Sequence, residues 1–277
     1  MKESDIKDFS RWFSEYTLGF RSEHPDLKEN LILKEEHTRR VSIAVDRITS
    51  ELGLPGNIRL LAQAAALFHD IGRFRQYVEY GTFRDPDSVN HAWLSLRELN
   101  RSGILRGLRR NERHLISKAV IFHNRRALPN HLRGTALILS ALLRDADKLD
   151  IWKVMTDYYH LGGDNANSTI ELGLENGNGF SVPIIDALIT GRIPDYRALR
   201  FTNDFKILQI SWVFDINFYP SLVMLEERAY LEKIAGAMPR HSKLTKALRM
   251  ISGYMEDRIS RKVNLIDIPG SPVRAEV

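Results

Sequence analysis

Leu67-Phe68-His69-Asp70-Ile71, followed at once by Gly72, closes the apolar run that begins at Ile58. Ile58 to Phe68 combines strong helix formers with apolar residues nearly all round, the pattern of a helix enclosed by other helices. His69 and Asp70 thus arrive where such a helix is most buried. A buried carboxylate with no partner costs several kcal/mol, so it must be protonated, paired with a cation or bound to a metal. Gly72 is expected to end the helix, because glycine tolerates positive φ just past the last turn. Two simpler accounts of the doublet stay open at this point: a histidine hydrogen-bonded at a helix end, and an aspartate paired with Arg73 or Arg75.

Working outward, the N-terminal side predicts a first helix capped by Ser4, with Ile6, Phe9, Trp12, Phe13 and Tyr16 on one stripe. After a break from Ser22 to Pro25, a long helix is expected over Leu31 to Leu52. His37, Val41, Ala44, Val45 and Ile48 repeat there at spacings of three and four, which turns His37 to the core side. Gly53 to Gly56, with Pro55, separates this helix from the central run. On the C-terminal side, Arg73 to Val89 reads as an irregular loop with Gly81 and Pro86. Further helices are expected from Ser88 or Asn90 to about Asn100, over Asn111 to Phe122, and over Leu132 to Tyr159. A short β-hairpin is compatible with residues 169–183, around Asn176-Gly177-Asn178-Gly179. From Ile184 the pattern is helical again, with breaks at Pro194, Pro220 and Pro239. Trp212, Phe214, Phe218 and Tyr219 read as core.

The fold class is therefore all-α, a single domain whose core spans residues 24–160 and carries a helical C-terminal extension over 161–277. At 277 residues, with 43% apolar and 27% charged residues, the composition is that of an ordinary globular protein. Lys and Arg outnumber Asp and Glu by 40 to 35. That excess suits a phosphate-bearing ligand and is too small and dispersed to argue for nucleic acid. With no Cys, disulfides, thiolate metal sites and a Cys nucleophile are excluded. Met1 to Asp8 lacks an apolar signal-peptide core, and no run approaches the roughly 20 apolar residues that cross a bilayer. The expectation is a cytoplasmic chain without a membrane partner.

The long-range pattern raises the stakes of His69-Asp70. In order, the chain offers His37, His69-Asp70, His91, His123 and Asp147. Gaps of tens of residues put each on a separate helix, which is how bundles build metal sites from one or two inward side chains per helix. Each has a plainer explanation taken alone. His37 suits a hydrogen-bonded core histidine, His91 a helix start, and His123 a helix end, where the dipole favours it. Asp145 and Asp150 compete with Asp147 for the inward position.

The order His, His-Asp, Asp resembles the HD superfamily of metal-dependent phosphohydrolases, and Phe68-His69-Asp70-Ile71-Gly72 is similar to that family's central motif. Ala146-Asp147-Lys148-Leu149 resembles its last motif, which favours Asp147 over its neighbours. His91 and His123 match the two additional histidines of members that hold two metals, including the HD-GYP phosphodiesterases. The Gly-Tyr-Pro element of that subgroup is missing here, which argues against cyclic dinucleotides. The resemblance covers roughly residues 35 to 160.

The donor chemistry fits what the resemblance implies. Four imidazoles and two carboxylates suit iron, manganese, zinc or magnesium, and six such groups are too many for one catalytic ion with an open position. Two divalent ions share them comfortably, with Asp70 bridging, His37, His69 and Asp147 completing one site, and His91 and His123 holding the other. A hydroxide formed between the ions would attack phosphorus in line. Several cations are spaced to help. Arg40, Arg73 and Arg126 each follow a ligand by three residues, and Arg144 precedes Asp147 by three. Arg73 and Lys148 are the first candidates for stabilising transition-state charge, beside Asp70 as catalytic carboxylate. The segment from Arg75 to Asn90, with Tyr77, Tyr80, Phe83 and Arg84, serves either as a lid that stacks a base or as a structural cover. The expected activity is hydrolysis of a phosphoester in a small phosphorylated substrate of the nucleotide class, and a homo-oligomer is compatible with it. The rival expectation is a regulatory HD module that binds metal or nucleotide without turnover.

Overall fold

A computed structural model of the chain describes residues 1–161, 174–177 and 179–267. The described residues are helical, with a single parallel bridge between Glu175 and Phe201 and no strand. No described helix is long and apolar enough to cross a membrane. The chain divides into two compact units, residues 1–147 and 148–271.

In the first unit the helices are α1 (Glu3–Glu23), α2 (Lys28–Glu51), α3 (Gly56–Phe68), α4 (Ile71–Tyr80), α5 (His91–Ser102) and α6 (Arg110–Phe122), joined by the start of α7 (Gly134–Leu161). Helix α1 begins before Ser4: Lys2 is its N-cap, and Asp5 Oδ2 accepts the Lys2 backbone N–H at 2.7 Å. An acidic group at the third helical position does the capping that Ser4 was expected to do. The aromatic stripe of α1 then packs where the sequence predicts. Phe9 and Trp12 lie 5.2 and 5.9 Å from the Phe68 ring, and Phe13 and Tyr16 lie 6.1 and 6.0 Å from Phe74. Phe68 and Phe74 flank His69-Asp70, so the first helix is clamped over the doublet.

The doublet itself is the junction between two helices. His69 closes α3 and Asp70, at φ −109°, opens α4. Ser95 of α5 stands in for the helical bonds lost at this break, donating from Oγ to the His69 carbonyl at 2.7 Å and accepting the Gly72 N–H at 2.9 Å. Gly72 is therefore not the helix terminator the sequence suggests. It sits inside α4 against α5, where an added Cβ would meet the His91 carbonyl oxygen and the Ser95 nitrogen at 2.5 Å each. Glycine is needed for close approach of two backbones, not for positive φ. The segment expected as an irregular loop is helical as far as Tyr80. Gly81, at φ 67°, supplies the left-handed cap there, and only residues 81–90 connect it to α5.

The second unit takes α7 from Lys148 onward, with α8 (Val182–Ile189), α9 (Thr202–Ser211), α10 (Tyr219–Glu227), α11 (Tyr230–Gly236) and α12 (Ser242–Ser260). Pro220 lies in the first turn of α10, just after the break at residues 216–218, a position where its missing N–H costs nothing. Buried Arg258 donates to the carbonyls of Ile216 and Asn217 at 2.7 and 3.0 Å, and Trp152 Nε1 donates to the Gln209 carbonyl at 3.0 Å. Phe214 and Phe218 are buried, as expected. Part of the hairpin expected over 169–183, residues 169–173 and 178, lies outside the described residues. Within its described part, Glu175 makes the bridge to Phe201 and Val182 already begins α8.

These packing relations predict opposite effects for two glycine substitutions. Gly72→Ala forces two backbones apart and should cost about 1–3 kcal/mol. Gly19→Ala, in α1 with nothing within 4 Å of the new Cβ, should stabilise by about 0.5–1 kcal/mol. Urea unfolding of both variants measures the difference, and a neutral Gly72→Ala would show the approach of α4 to α5 to be wrong.

Candidate metal centre

Each candidate side chain reaches the centre from a different element. His37 comes from the buried stripe of α2, His69 from the end of α3 and Asp70 from the start of α4. His91 is the first residue of α5, whose N-cap Asn90 accepts the Trp93 N–H at 3.1 Å. His123 follows α6 and Asp147 lies in α7. All five residues from His37 to His123 in this set are buried, and the Asp147 side chain is 18% exposed.

The imidazoles form two facing pairs. His37 Nε2 lies 3.1 Å from His69 Nε2, and His91 Nε2 lies 2.9 Å from His123 Nε2. Asp70 stands between them with one oxygen for each. Its Oδ2 is 3.5 Å from His37 Nε2 and 3.8 Å from His69 Nε2. Its Oδ1 is 3.4 Å from His91 Nε2 and 3.7 Å from His123 Nε2. Asp147 joins the first pair, with Oδ1 at 3.3 Å from His37 Nε2 and 3.9 Å from His69 Nε2. Two sets of donor atoms, from His37, His69 and Asp70 and from Asp70, His91 and His123, each lie within 4.8 Å of one another, close enough to hold a metal ion.

The far side of each ring shows why a cation fits. His69 Nδ1 lies 2.7 Å from the Ala66 carbonyl and His123 Nδ1 lies 2.6 Å from the Val120 carbonyl. A carbonyl only accepts, so both Nδ1 atoms carry hydrogen and both neutral rings present a bare Nε2. His91 Nδ1 lies 2.8 Å from both oxygens of Asp85, which fixes the same tautomer. The nitrogens of His91 and His123 therefore point lone pair at lone pair across 2.9 Å. Something positive must lie between them, either a proton or a metal ion. Burial, with help from Arg73, pushes His91 down to about 3, and burial pushes His69 down to about 4. A shared proton is thus disfavoured at neutral pH. Among the described residues no hydrogen-bond donor reaches buried Asp70 Oδ1, which makes the same demand.

The carboxylates are held ready. Burial would raise Asp70, but Lys34, His69 and Arg73 outweigh it and hold the group well below the ordinary carboxylate range. Asp147 is likewise held low against its burial, chiefly by His37. Asp85 falls to about 2, where the hydrogen bond and charge of His91 overcome desolvation.

Asp85 and Lys34 belong to this centre and were missed from sequence. Beside His91, Asp85 accepts from Arg73 Nη1 at 3.2 Å, Gln76 Nε2 at 3.0 Å and Asn124 Nδ2 at 3.3 Å, so one carboxylate ties α4, α5 and the end of α6. Its signal was a carboxylate six residues before a ligand histidine. Lys34 Nζ donates to Asp70 Oδ2 at 3.1 Å, and the signal was a cation one helical turn before His37.

The other expected cations are engaged in several ways. Arg73 stays at the centre with Nε 3.5 Å from Asp70 Oδ1, while its Nη1 donates to Asp85, Gln76 and the Phe83 carbonyl. Arg144 is buried and donates to the Arg125 and Arg126 carbonyls, clamping the turn after His123. Arg126 is exposed, and Arg40 Nη1 lies 3.6 Å from Glu36. Lys148 falls in the second unit and pairs with Asp215 at 2.8 Å. In the segment expected as a lid or cover, Phe83 stacks on Tyr77 with centroids 4.4 Å apart, which favours a cover.

The depressed histidines give the metal-free protein a pH dependence of definite sign. Above 6.5 the rings are uncharged folded or unfolded; as pH falls below 6.5 the unfolded chain takes up protons that native His69 and His91 refuse until about 4 and 3. Stability is complete above pH 6.5 and is lost on acidification, by about 2 kcal/mol for each histidine at pH 5. Urea midpoints in chelator at pH 7.5 and pH 5 test this, and equal midpoints would contradict the buried neutral imidazoles.

The sequence model of the HD domain matches residues 35–152. That span contains His37, His69, Asp70, His91, His123 and Asp147, and the family includes metal-dependent phosphohydrolases. No curated protein and no solved structure matches the chain. The helices that carry the two facing imidazole pairs, and the carboxylate between them, lie within the span that is similar to the HD domain.

Proposed function

We propose that this chain is a metal-dependent phosphohydrolase that cleaves a phosphoester in a small substrate of the nucleotide class. The observation that carries the proposal is Asp70, whose two oxygens address two separate imidazole pairs. In this assignment Asp70 Oδ2, His37, His69 and Asp147 hold one divalent ion, and Asp70 Oδ1, His91 and His123 hold a second. Iron, manganese, zinc and magnesium all suit these nitrogen and oxygen donors. Bound there, such ions supply Lewis acidity, an activated water and charge stabilisation for displacement at phosphorus.

The chain's own part is preorganisation. Ala66, Val120 and Asp85 fix the ring orientation of three histidines through their Nδ1 atoms, so the Nε2 donors need not reorganise on loading. Arg73, between Asp70 and Asp85, balances the charge of both carboxylates and restrains the connection at Phe83. Lys148 is engaged with Asp215, and no step is assigned to it.

Metal analysis of the purified protein and a hydrolysis panel of nucleotides and other phosphate esters, run with manganese, iron and magnesium, test the assignment. Stoichiometric metal without hydrolysis of any ester would instead indicate a regulatory module. Asp70→Asn should lose metal and activity together, because one altered oxygen weakens both sites. Full metal content and normal hydrolysis in that variant would remove the bridge. Asp85→Asn should keep the fold and the His37–His69 site while weakening the His91–His123 site by about 10–100-fold, the usual scale for a group orienting a ligand histidine. Metal titration resolves the two sites, and uniform weakening of both would contradict a role confined to His91.

A further inference from the structure

Lys34 occupies a place that metal binding alone does not explain. It lies three residues before His37 on α2, so the two side chains share a face. Its ammonium donates to Asp70 Oδ2 at 3.1 Å and sits 5.2 Å from the centroid of the Phe83 ring. That ring is fixed by stacking on Tyr77 at 4.4 Å, and its backbone carbonyl accepts from Arg73. The side chain keeps 17% of its exposure. Lys34 therefore stands at a mouth of the centre, between a carboxylate oxygen and an aromatic face.

Asp70 Oδ2 is the oxygen that faces His37 and His69. A permanent cation on that oxygen repels any metal ion the two imidazoles take up, so Lys34 works against loading of the site it adjoins. The binding it favours is that of an anion shared with the metal. An ammonium has three N–H donors, and Asp70 uses one. A group with several charged oxygens, such as a phosphate monoester or the end of a nucleotide, can meet a metal through one oxygen and an ammonium through another.

We propose that Lys34 is a substrate-binding residue, whose ammonium takes a non-bridging oxygen of the phosphoryl group held at the His37–His69–Asp70 site. This rests on the metal-dependent activity proposed above and adds to it the cation that receives the phosphoryl group. Arg73, by contrast, has its Nη1 donors committed to Gln76, Phe83 and Asp85.

The test uses the full chain, wild type and with Lys34→Met or Lys34→Arg. Manganese affinity is measured first. Calorimetric titration of inorganic phosphate into the manganese-loaded proteins comes next, followed by kinetics on an ester that the wild type hydrolyses. Lys34→Met should bind manganese at least as tightly as wild type. It should bind phosphate about tenfold more weakly, the scale of one charge-assisted hydrogen bond. Its kcat/KM should fall mainly through KM. Lys34→Arg should recover most of the phosphate affinity. Two results overturn the proposal while leaving the metal centre intact. Unchanged phosphate affinity in Lys34→Met would make Lys34 a counter-ion for Asp70 and nothing more. Weaker manganese binding there would make it a support for the carboxylate. A wild-type protein that binds no manganese, iron, zinc or magnesium overturns the metal centre itself, and the role of Lys34 with it.

Discussion

A carboxylate kept ionised in a protein interior needs compensation at each oxygen, and Asp70 of this chain, 3% exposed, is compensated unevenly. Lys34 meets Oδ2 with a full hydrogen bond, whereas Arg73 approaches Oδ1 only to 3.5 Å. Oδ1 is left facing His91 and His123, two rings whose bare nitrogens oppose each other. Desolvation of such a group costs several kcal/mol unless charge is returned to it. The stability of the junction between α3 and α4 and the chemistry of the centre therefore depend on one carboxylate. The same unsatisfied demand that weakens the bare fold is what gives the centre affinity for a cation.

The backbone is built to keep that carboxylate in place. Breaking a helix in the interior strands polar groups, and here Ser95 takes up both the His69 carbonyl and the Gly72 N–H. Ser95 reaches them because α4 and α5 touch at Gly72, and that contact also brings His91 beside Asp70. The clamp of α1 on Phe68 and Phe74 closes the opposite side. Packing, hydrogen bonding and ligand placement thus converge on a few residues, so a substitution such as Gly72→Ala disturbs the site as well as the fold.

Much of this was legible in the sequence, for identifiable reasons. The 3.6-residue period placed His37 on the buried face of α2 without any neighbour's help, because a helix's own apolar stripe defines its inside. The all-α class followed from the same signal. Gly72 was misread because a capping glycine and a close-packing glycine look alike in one dimension; only the position of α5 separates them. The start of α4 was hidden for a related reason, since the charged and aromatic residues after Gly72 are held helical by tertiary contacts such as Arg75 to Glu98 at 2.7 Å. Asp85 was missed because its partners come from α4, α5 and the residue after His123, and no local pattern joins them. The arginines near the ligands were over-read: spacing places a side chain on a face, but the carbonyls that occupy Arg144 and Arg73 are set by the turns around them.

Charge explains how one centre can prefer first a cation and then an anion. Three carboxylates, Asp70, Asp85 and Asp147, face one ammonium and one guanidinium, Lys34 and Arg73. Counted with uncharged imidazoles, the bare centre carries a single net negative charge, which at low effective dielectric favours entry of a divalent ion. Loading even one such ion reverses the sign, and loading two makes the centre strongly positive. From then on the favoured ligand is an anion, and the cations already present add to the attraction. Had Asp70 been neutralised more completely by protein groups, the bare fold would be more stable and the centre would lose its attraction for metal. Lys34 and Arg73 together hold Asp70 ionised but incompletely paired, which is the condition for a metal to bind and for a phosphoryl group to follow it.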